Sequence, residues 1–135
     1  MVMKSGLLLT VLVTFFMMAA GFHLTGREKA DDGPVRHVVV FKYAEGATAE
    51  QIQVVTDAFR NLKNTIPGIL SFEHGTNMSP EGLDQGFNHI YVLTFENAAA
   101  RDAYLPHPEH RKFGQILRES GIFEGAFVVD FVPEE

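Results

Sequence analysis

The chain has 135 residues, a net charge of −6 and no cysteine. This leaves room for one small domain and excludes disulfides, thiolate chemistry and metal sites built on cysteine. The acidic balance also argues against a nucleic-acid-binding surface, which needs clustered Lys and Arg to release counterions. We therefore expect a single globular domain without a nucleic-acid partner.

Residues 1–24 have the order of a secretory signal peptide: a basic start at Lys4, an uncharged apolar run, and then small residues. The alternative is an uncleaved signal anchor, because the uncharged run is about long enough to span a bilayer. Residues 25–34 are polar and contain a Gly-Pro pair, which is typical of a linker. Both interpretations predict an exported domain, either periplasmic or secreted, or held at the membrane by its leader.

Residues 35–135 alternate between strand-like and helix-like patterns. The patterns predict strands at 35–43, 69–76, 89–95 and 127–132, and helices at 49–64, 98–104 and 109–120. Thr48 and Gln51 have the spacing of a capping box at the start of the first helix. Gly121 and Gly125 are expected to flank the turn before the last strand. This β-α-β-β-α-β order predicts an α+β domain with a ferredoxin-like fold.

The first predicted strand is apolar on both faces, and so is the third. In the first strand, His37, Phe41 and Tyr43 share one face, while Val38 and Val40 share the other. The helices of a ferredoxin-like fold cover only one face of the sheet, so the second apolar face needs another cover. The simplest cover is the same face of a second copy, which predicts a homodimer. The alternative is that the linker or leader packs back on this face.

Seven motifs lie along the domain. They are Arg36-His37-Val38-Val39-Val40-Phe41-Lys42, Ile66-Pro67-Gly68-Ile69, Gly75-Thr76-Asn77-Met78-Ser79-Pro80-Glu81-Gly82-Leu83, Gly86-Phe87-Asn88-His89, Leu93-Thr94-Phe95-Glu96, Tyr104-Leu105-Pro106-His107-Pro108-Glu109-His110 and Val129-Asp130-Phe131. Together they resemble the stress-responsive A/B barrel (Dabb) family, and the Tyr-x-x-His-Pro-x-His run is the most specific piece. The resemblance implies a dimeric α+β barrel. It implies no single activity, because the family includes plant polyketide cyclases, stress-associated plant proteins and bacterial members of unknown role.

In the plant polyketide cyclases of this family, a Tyr and a His of this run form an acid–base pair, and the resemblance assigns those roles to Tyr104 and His110. An imidazole near neutral pKa can remove an α-proton flanked by carbonyls, and a phenol can donate a hydrogen bond to the enolate oxygen that develops. This chemistry needs no metal or organic cofactor. The alternative is structural: the run caps a helix and ties the loop to the sheet, and His107 is assigned that role.

Six further side chains are predicted to line or fill a cavity between helices and sheet. They are His37, Phe41, Phe59, Phe72, His89 and Tyr91. His37 and His89 lie on neighbouring strands, which predicts a buried hydrogen-bonded pair. Asp130, in an apolar strand, is expected to lie at an edge or to pair with a basic residue such as Arg36.

Two functions of different classes are consistent with these residues. The first, which we favour because export separates the protein from cytoplasmic polyketide synthesis, is a small-molecule-binding or stress-associated homodimer with an apolar or carbonyl ligand. The second is a cofactor-independent lyase or cyclase that uses Tyr104 and His110 on a polyketide-like carbonyl compound. A cofactor-free monooxygenase is a third possible function, but the sequence contains no residue that is diagnostic of it. No metal site is expected, because His107 and His110 supply two of the three or four ligands that zinc needs.

Overall fold

The computed structural model of the protein describes residues 33–134, so the leader and most of the linker lie outside the described residues. The elements are β1 (Val35–Tyr43), α1 (Ala49–Thr65), β2 (Ile69–Thr76), β3 (His89–Phe95), α2 (Ala98–Tyr104), α3 (Pro108–Glu119) and β4 (Phe123–Phe131). The strands form one antiparallel sheet in the order β2-β3-β1-β4. The predicted ferredoxin-like fold is confirmed. The helices predicted at 98–104 and 109–120 are two separate helices, α2 and α3, because Pro108 occupies the first turn of α3 and begins a new helix there.

The start of α1 follows from local chemistry. The Thr48 side chain accepts a hydrogen bond from the backbone of Gln51, and the Gln51 side chain accepts one from the backbone of Thr48. This reciprocal capping box satisfies two backbone N–H groups that the helix leaves free. The helix then buries Val55, Phe59 and Leu62 against the sheet, as their helical spacing predicts.

An aromatic cluster fills the space between the helices and the sheet. Phe59 on α1 stacks on Phe113 of α3, with ring centroids 4.4 Å apart, and Phe41 of β1 stacks on Phe59 at 5.8 Å. Tyr91 of β3 packs against Phe41 at 5.1 Å and against Phe59 at 5.2 Å. These rings bury large apolar areas, so they hold α1 and α3 on the sheet.

The predicted start of the last strand was wrong. β4 begins at Phe123, four residues before the expected residue 127, and Gly125 lies inside the strand opposite Lys42. The turn is formed at Gly121, whose φ of +71° suits glycine. Glycine is disfavoured in strands, which is why Gly125 resembled a turn residue in the sequence. The pairing shifts register between Lys42 and Tyr43, and this irregularity accommodates the extra length of β4.

The face of the sheet opposite the helices is apolar and open. Val40 lies opposite Phe127 on β4 and opposite Ile90 on β3, so all three share this outer face. Val38 and Val129 form the next pair along the strands. The exposed fraction is 54% for Phe127, 41% for Val129 and 49% for Phe131. The prediction that β1 is apolar on both faces is therefore confirmed. Within residues 33–134, no helix is long and apolar enough to cross a membrane.

Candidate ligand groove and acid–base cluster

Tyr104 is the last residue of α2 and is fully buried. Its ring lies between two imidazoles, with centroid distances of 4.1 Å to His110 and 5.7 Å to His37, and it packs on Phe95 at 5.0 Å. Among the buried side chains of the described residues, its hydroxyl is the one polar group without a hydrogen-bond partner. Burial raises the pKa of this phenol, so it remains protonated and able to donate.

His110 is positioned by the backbone that joins α2 to α3. Its Nδ1 lies 3.0 Å from the carbonyl oxygen of Leu105. A carbonyl can only accept, so Nδ1 carries the hydrogen and Nε2 holds the lone pair. Burial lowers the pKa of His110, the bond to Leu105 opposes that effect, and the nearby His37 and His107 add to the lowering. The result is a neutral imidazole with a free basic nitrogen beside Tyr104.

His107 has the structural role that was assigned to it. It is the N-cap of α3, and its Nδ1 accepts a hydrogen bond from the backbone N–H of Glu109 at 3.2 Å. This bond satisfies one of the free N–H groups in the first turn of α3. His107 therefore fixes the start of the helix that carries His110.

A second imidazole beside Tyr104 is held by a carboxylate. The Nδ1 of His37 lies 2.6 Å from Oδ1 of Asp130, and the other carboxylate oxygen accepts a close hydrogen bond from Arg101. Burial lowers the pKa of His37 to about 4, and the charge of Arg101 adds to this. His37 is thus neutral, with its hydrogen on Nδ1 and its lone pair on Nε2. We call these five residues, His37, Arg101, Tyr104, His110 and Asp130, the Tyr104 cluster.

Asp130 lies on the edge strand β4 and pairs with basic residues, as predicted, but these are Arg101 and His37. Arg36 instead donates to the hydroxyl of Thr94 at 2.9 Å, because Arg36 lies on the outer face of β1 and Asp130 on the inner face. The other predicted pairing was wrong. His37 does not pair with His89. The antiparallel register sets His37 opposite Leu93 and His89 opposite Phe41, at the far end of the two strands.

A groove of about 370 Å³ opens between the first half of α1 and the paired strands β2 and β3. Its lining includes Ala49, Ile52, Thr56, His74, His89 and Tyr91. We call it the α1–β2 groove. Two of the predicted lining residues, His89 and Tyr91, lie in it. Phe41, Phe59 and Phe72 pack among the core aromatic rings instead, and His37 belongs to the Tyr104 cluster.

Three hydroxyl groups form a chain at the wall of the α1–β2 groove. The Tyr91 hydroxyl lies 3.1 Å from that of Tyr43 and 2.9 Å from that of Thr56. The ring of His89 packs edge-on against Tyr43, with centroids 4.8 Å apart, and burial lowers the pKa of His89. Thr56 was not among the predicted site residues. The available signal was a polar residue on the apolar face of α1, between Val55 and Phe59.

His74 lies at the sheet side of the groove and is oriented by α1. Its Nε2 is 2.7 Å from a guanidinium nitrogen of Arg60, which can only donate. The lone pair of His74 is therefore on Nε2 and its hydrogen on Nδ1. The nine residues that line the groove include no Asp or Glu, although the chain as a whole is acidic. Among residues 33–134, no three His, Asp or Glu side chains are grouped so as to hold a metal ion.

The fold places the chain in the ferredoxin-like α+β class, and comparison with known proteins narrows that class to one family. A family model described as the stress responsive A/B barrel domain (Dabb) matches residues 35–133, and the chain belongs to this family. The stress-response A/B barrel domain-containing protein HS1 of Arabidopsis thaliana is 35% identical over 101 residues, which are 75% of this chain and 91% of the relative.

Two further relatives bear on function and assembly. Olivetolic acid cyclase of Cannabis sativa is 28% identical over 75% of this chain and 98% of its own length. The crystal structure of a dimeric ferredoxin-like protein of unknown function from Jannaschia sp. CCS1 is 29% identical, with a TM-score of 0.61, over 73% of this chain and 98% of that one. The proteins that this chain is similar to therefore include a named enzyme and a dimer of unknown function.

Proposed function

We propose that this protein is an exported homodimer that binds a small molecule in the α1–β2 groove. The observation that carries the proposal is the groove itself: an open cavity of about 370 Å³ whose wall combines apolar side chains with a few hydrogen-bonding groups. That volume and that mixture are typical of pockets for small ligands. Tyr91 and Ile52 offer apolar contact, and Thr56, His74 and His89 offer polar atoms for orientation.

The homodimer is supported by the outer face of the sheet. Val40, Phe127 and Val129 form part of an apolar surface that would be a liability in a monomer. Solved relatives from this fold class are described as dimeric, and the same face of a second copy covers such a surface by two-fold symmetry. The groove lies on the opposite side of the sheet, so dimerisation leaves it open.

Binding in the groove is testable with a blocked variant. Ala49 is exposed and lines the groove, so Ala49→Trp places a bulky side chain at the groove wall. We expect a fragment screen by ligand-observed NMR to find binders of the wild-type protein whose affinity falls at least tenfold in this variant. Lys63→Trp, an equally exposed change in the last turn of α1, is the matched control and should retain binding. Binders that are unaffected by Ala49→Trp would contradict the proposed site.

A second candidate function is a cofactor-independent lyase or cyclase at the Tyr104 cluster. The unpartnered Tyr104 hydroxyl favours it, because a buried polar group without a partner calls for an explanation and a ligand oxygen would supply one. In this mechanism Nε2 of His110 takes the α-proton of a carbonyl compound, and Tyr104 donates to the resulting enolate oxygen. The similarity to olivetolic acid cyclase also supports this function.

The Tyr104→Phe variant separates this function from a structural role. Removing an unsatisfied buried hydroxyl should raise the free energy of unfolding by about 1–3 kcal/mol. If the cluster is catalytic, the same variant should lose activity, measured as deuterium exchange at the α-carbon of cyclohexanone in D₂O. His110→Ala should lose it too while the dimer stays folded. A stabilised Tyr104→Phe variant with unchanged exchange would show that the cluster only packs.

Export is proposed from the leader sequence alone. Fractionation of cells that express the native chain should find the domain outside the cytoplasm, and N-terminal sequencing should distinguish cleavage near Ala20-Gly21 from a retained anchor. Accumulation of the intact chain in the cytosol would contradict export.

A further inference from the structure

We infer that Arg101 is a positioning residue: its guanidinium balances the charge of the Asp130 carboxylate, and this keeps the imidazole of His37 neutral. The inference rests on the second proposed function, since it concerns the groups that surround Tyr104. It follows from the two contacts that Asp130 makes and from a count of the charges in the Tyr104 cluster.

The Asp130 carboxylate is shared between partners on two different elements. Its Oδ1 lies 2.6 Å from Nδ1 of His37 on β1, and its Oδ2 accepts a hydrogen bond from Arg101 on α2. The exposed fraction of the side chain is 7% for His37 and 23% for Arg101. One carboxylate therefore joins a deeply buried imidazole to a guanidinium that reaches the surface.

A count of charges indicates which of the two partners is positive. A carboxylate that is partly removed from water needs a positive partner, because an uncompensated charge there is costly. Arginine is always protonated, so Arg101 meets this need, and a proton on His37 would leave the three groups with a net positive charge. Without the guanidinium, the same balance places the proton on His37. The pKa of His37, lowered by burial and then by the charge of Arg101, agrees with this count.

The other groups that face His37 leave this balance unchanged. Tyr104 on α2 and His110 on α3 are neutral, since burial raises the pKa of the phenol and lowers that of the imidazole. The residue of β3 that lies opposite His37 is apolar. Asp102, the second partner of Arg101, is 67% exposed, so water and salt screen its charge.

The position of the positive charge matters for the proposed chemistry. An imidazolium at His37 would lie with its ring centroid 5.7 Å from that of Tyr104, in the interior of the cluster. It would also make His110 a weaker base, because a nearby positive charge disfavours the uptake of a proton. Arg101 holds the charge at the surface instead, and so preserves the basic nitrogen of His110 as the pH falls.

The protonation of His37 tests the inference and is measured by NMR of the imidazole nitrogens in a pH titration. In Arg101→Gln, which keeps a donor for Asp130 but removes the charge, we expect His37 to titrate about 1–3 pH units higher than in the wild type. Arg101→Lys restores the charge and should return the midpoint toward the wild-type value. Arg118→Gln, the same change in the last turn of α3, is the matched control and should leave the midpoint unchanged.

Two results of the titration would overturn the inference. One is a wild-type midpoint in Arg101→Gln. The other is a midpoint in Arg101→Lys that is raised as far as in Arg101→Gln, which would mean that Arg101 acts by tying α2 to β4 and not by its charge. Should Arg101→Gln not fold, Arg101→Met keeps the aliphatic stem and allows the same measurement.

Deuterium exchange into cyclohexanone tests the link to the proposed chemistry. In Arg101→Gln, exchange should fall as the pH is lowered through the new midpoint of His37, and Arg101→Lys should restore it. Exchange in Arg101→Gln that matches the wild type at every pH would overturn the role of Arg101 at this site. If the wild-type protein itself gives no exchange, the second proposed function fails, and the titration alone decides the inference.

Discussion

The domain is expected to sediment as a dimer at micromolar concentration, and Val40→Asp is expected to convert it to a monomer or an aggregate. Val40 lies on the outer face of the sheet between Phe127 and Ile90, beside Leu83 and Phe87 of the loop that joins β2 to β3. Burying a carboxylate in an apolar interface costs several kcal/mol, and about 4 kcal/mol corresponds to a thousandfold weaker association. Analytical ultracentrifugation across a concentration series measures the change directly.

The control for this experiment is the same substitution on the helix side of the domain. Val54 lies on α1 and is 63% exposed, so Val54→Asp adds an equal charge away from the open face. It should leave the dimer intact. A stable, non-aggregating wild-type monomer, or a Val40→Asp variant that remains dimeric, would remove the case for assembly through the sheet.

The stability of the domain should fall steeply as the pH is lowered from 6.5 to 4, and His37 should account for a large part of the loss. The pKa of His37 is about 4 in the folded protein, compared with 6.5 for an unperturbed histidine. Between pH 6.5 and pH 4, His37 is protonated in the unfolded chain but neutral in the folded protein, so lowering the pH favours unfolding. The lowered pKa of His37 corresponds to about 3 kcal/mol in the free energy of unfolding, and this stability is fully present above pH 6.5.

His37→Asn tests this assignment, because the amide retains a donor for Asp130 and does not titrate. Urea unfolding at several pH values and one fixed protein concentration should show a shallower loss of stability for this variant than for the wild type. Val54→Asn, a change at an exposed position of α1 that adds and removes no titratable group, is the control and should follow the wild-type curve. Equal slopes for His37→Asn and the wild type would mean that His37 does not carry the pH dependence.

Most of the fold was predictable because local chemistry determines it. The β-branched and aromatic residues of β1 and β3 favour strands. Thr48 and Gln51 mark the start of α1 by hydrogen bonds between residues three positions apart. The beginning of β4 was not predictable in the same way. Gly125 is tolerated in the strand by its pairing with Lys42, a neighbour that lies more than eighty residues earlier.

The candidate sites differ in the same way: contacts within a short segment were predictable, whereas contacts between distant residues were not. Tyr104 ends α2 and His110 lies in the first turn of α3, six residues later, so their proximity was predictable from a short motif. The bond between His37 and Asp130 joins residues 93 positions apart and depends on the register of β1 against β4. The α1–β2 groove depends on how α1 sits over β2, which brings Thr56 to Tyr91 and Arg60 to His74. No sequence spacing encodes that packing.

The position of β1 in the sheet has a consequence for the order in which the domain can fold. β1 is the first strand of the domain, yet one of its two neighbours is β4, the last. Closing so long a loop is entropically slow, so β1 keeps a free edge until the final residues join the sheet. The strand that follows the leader most closely is thus the last to be fully paired. A chain shortened before β4 would expose that edge and lose Asp130, and we expect it to aggregate.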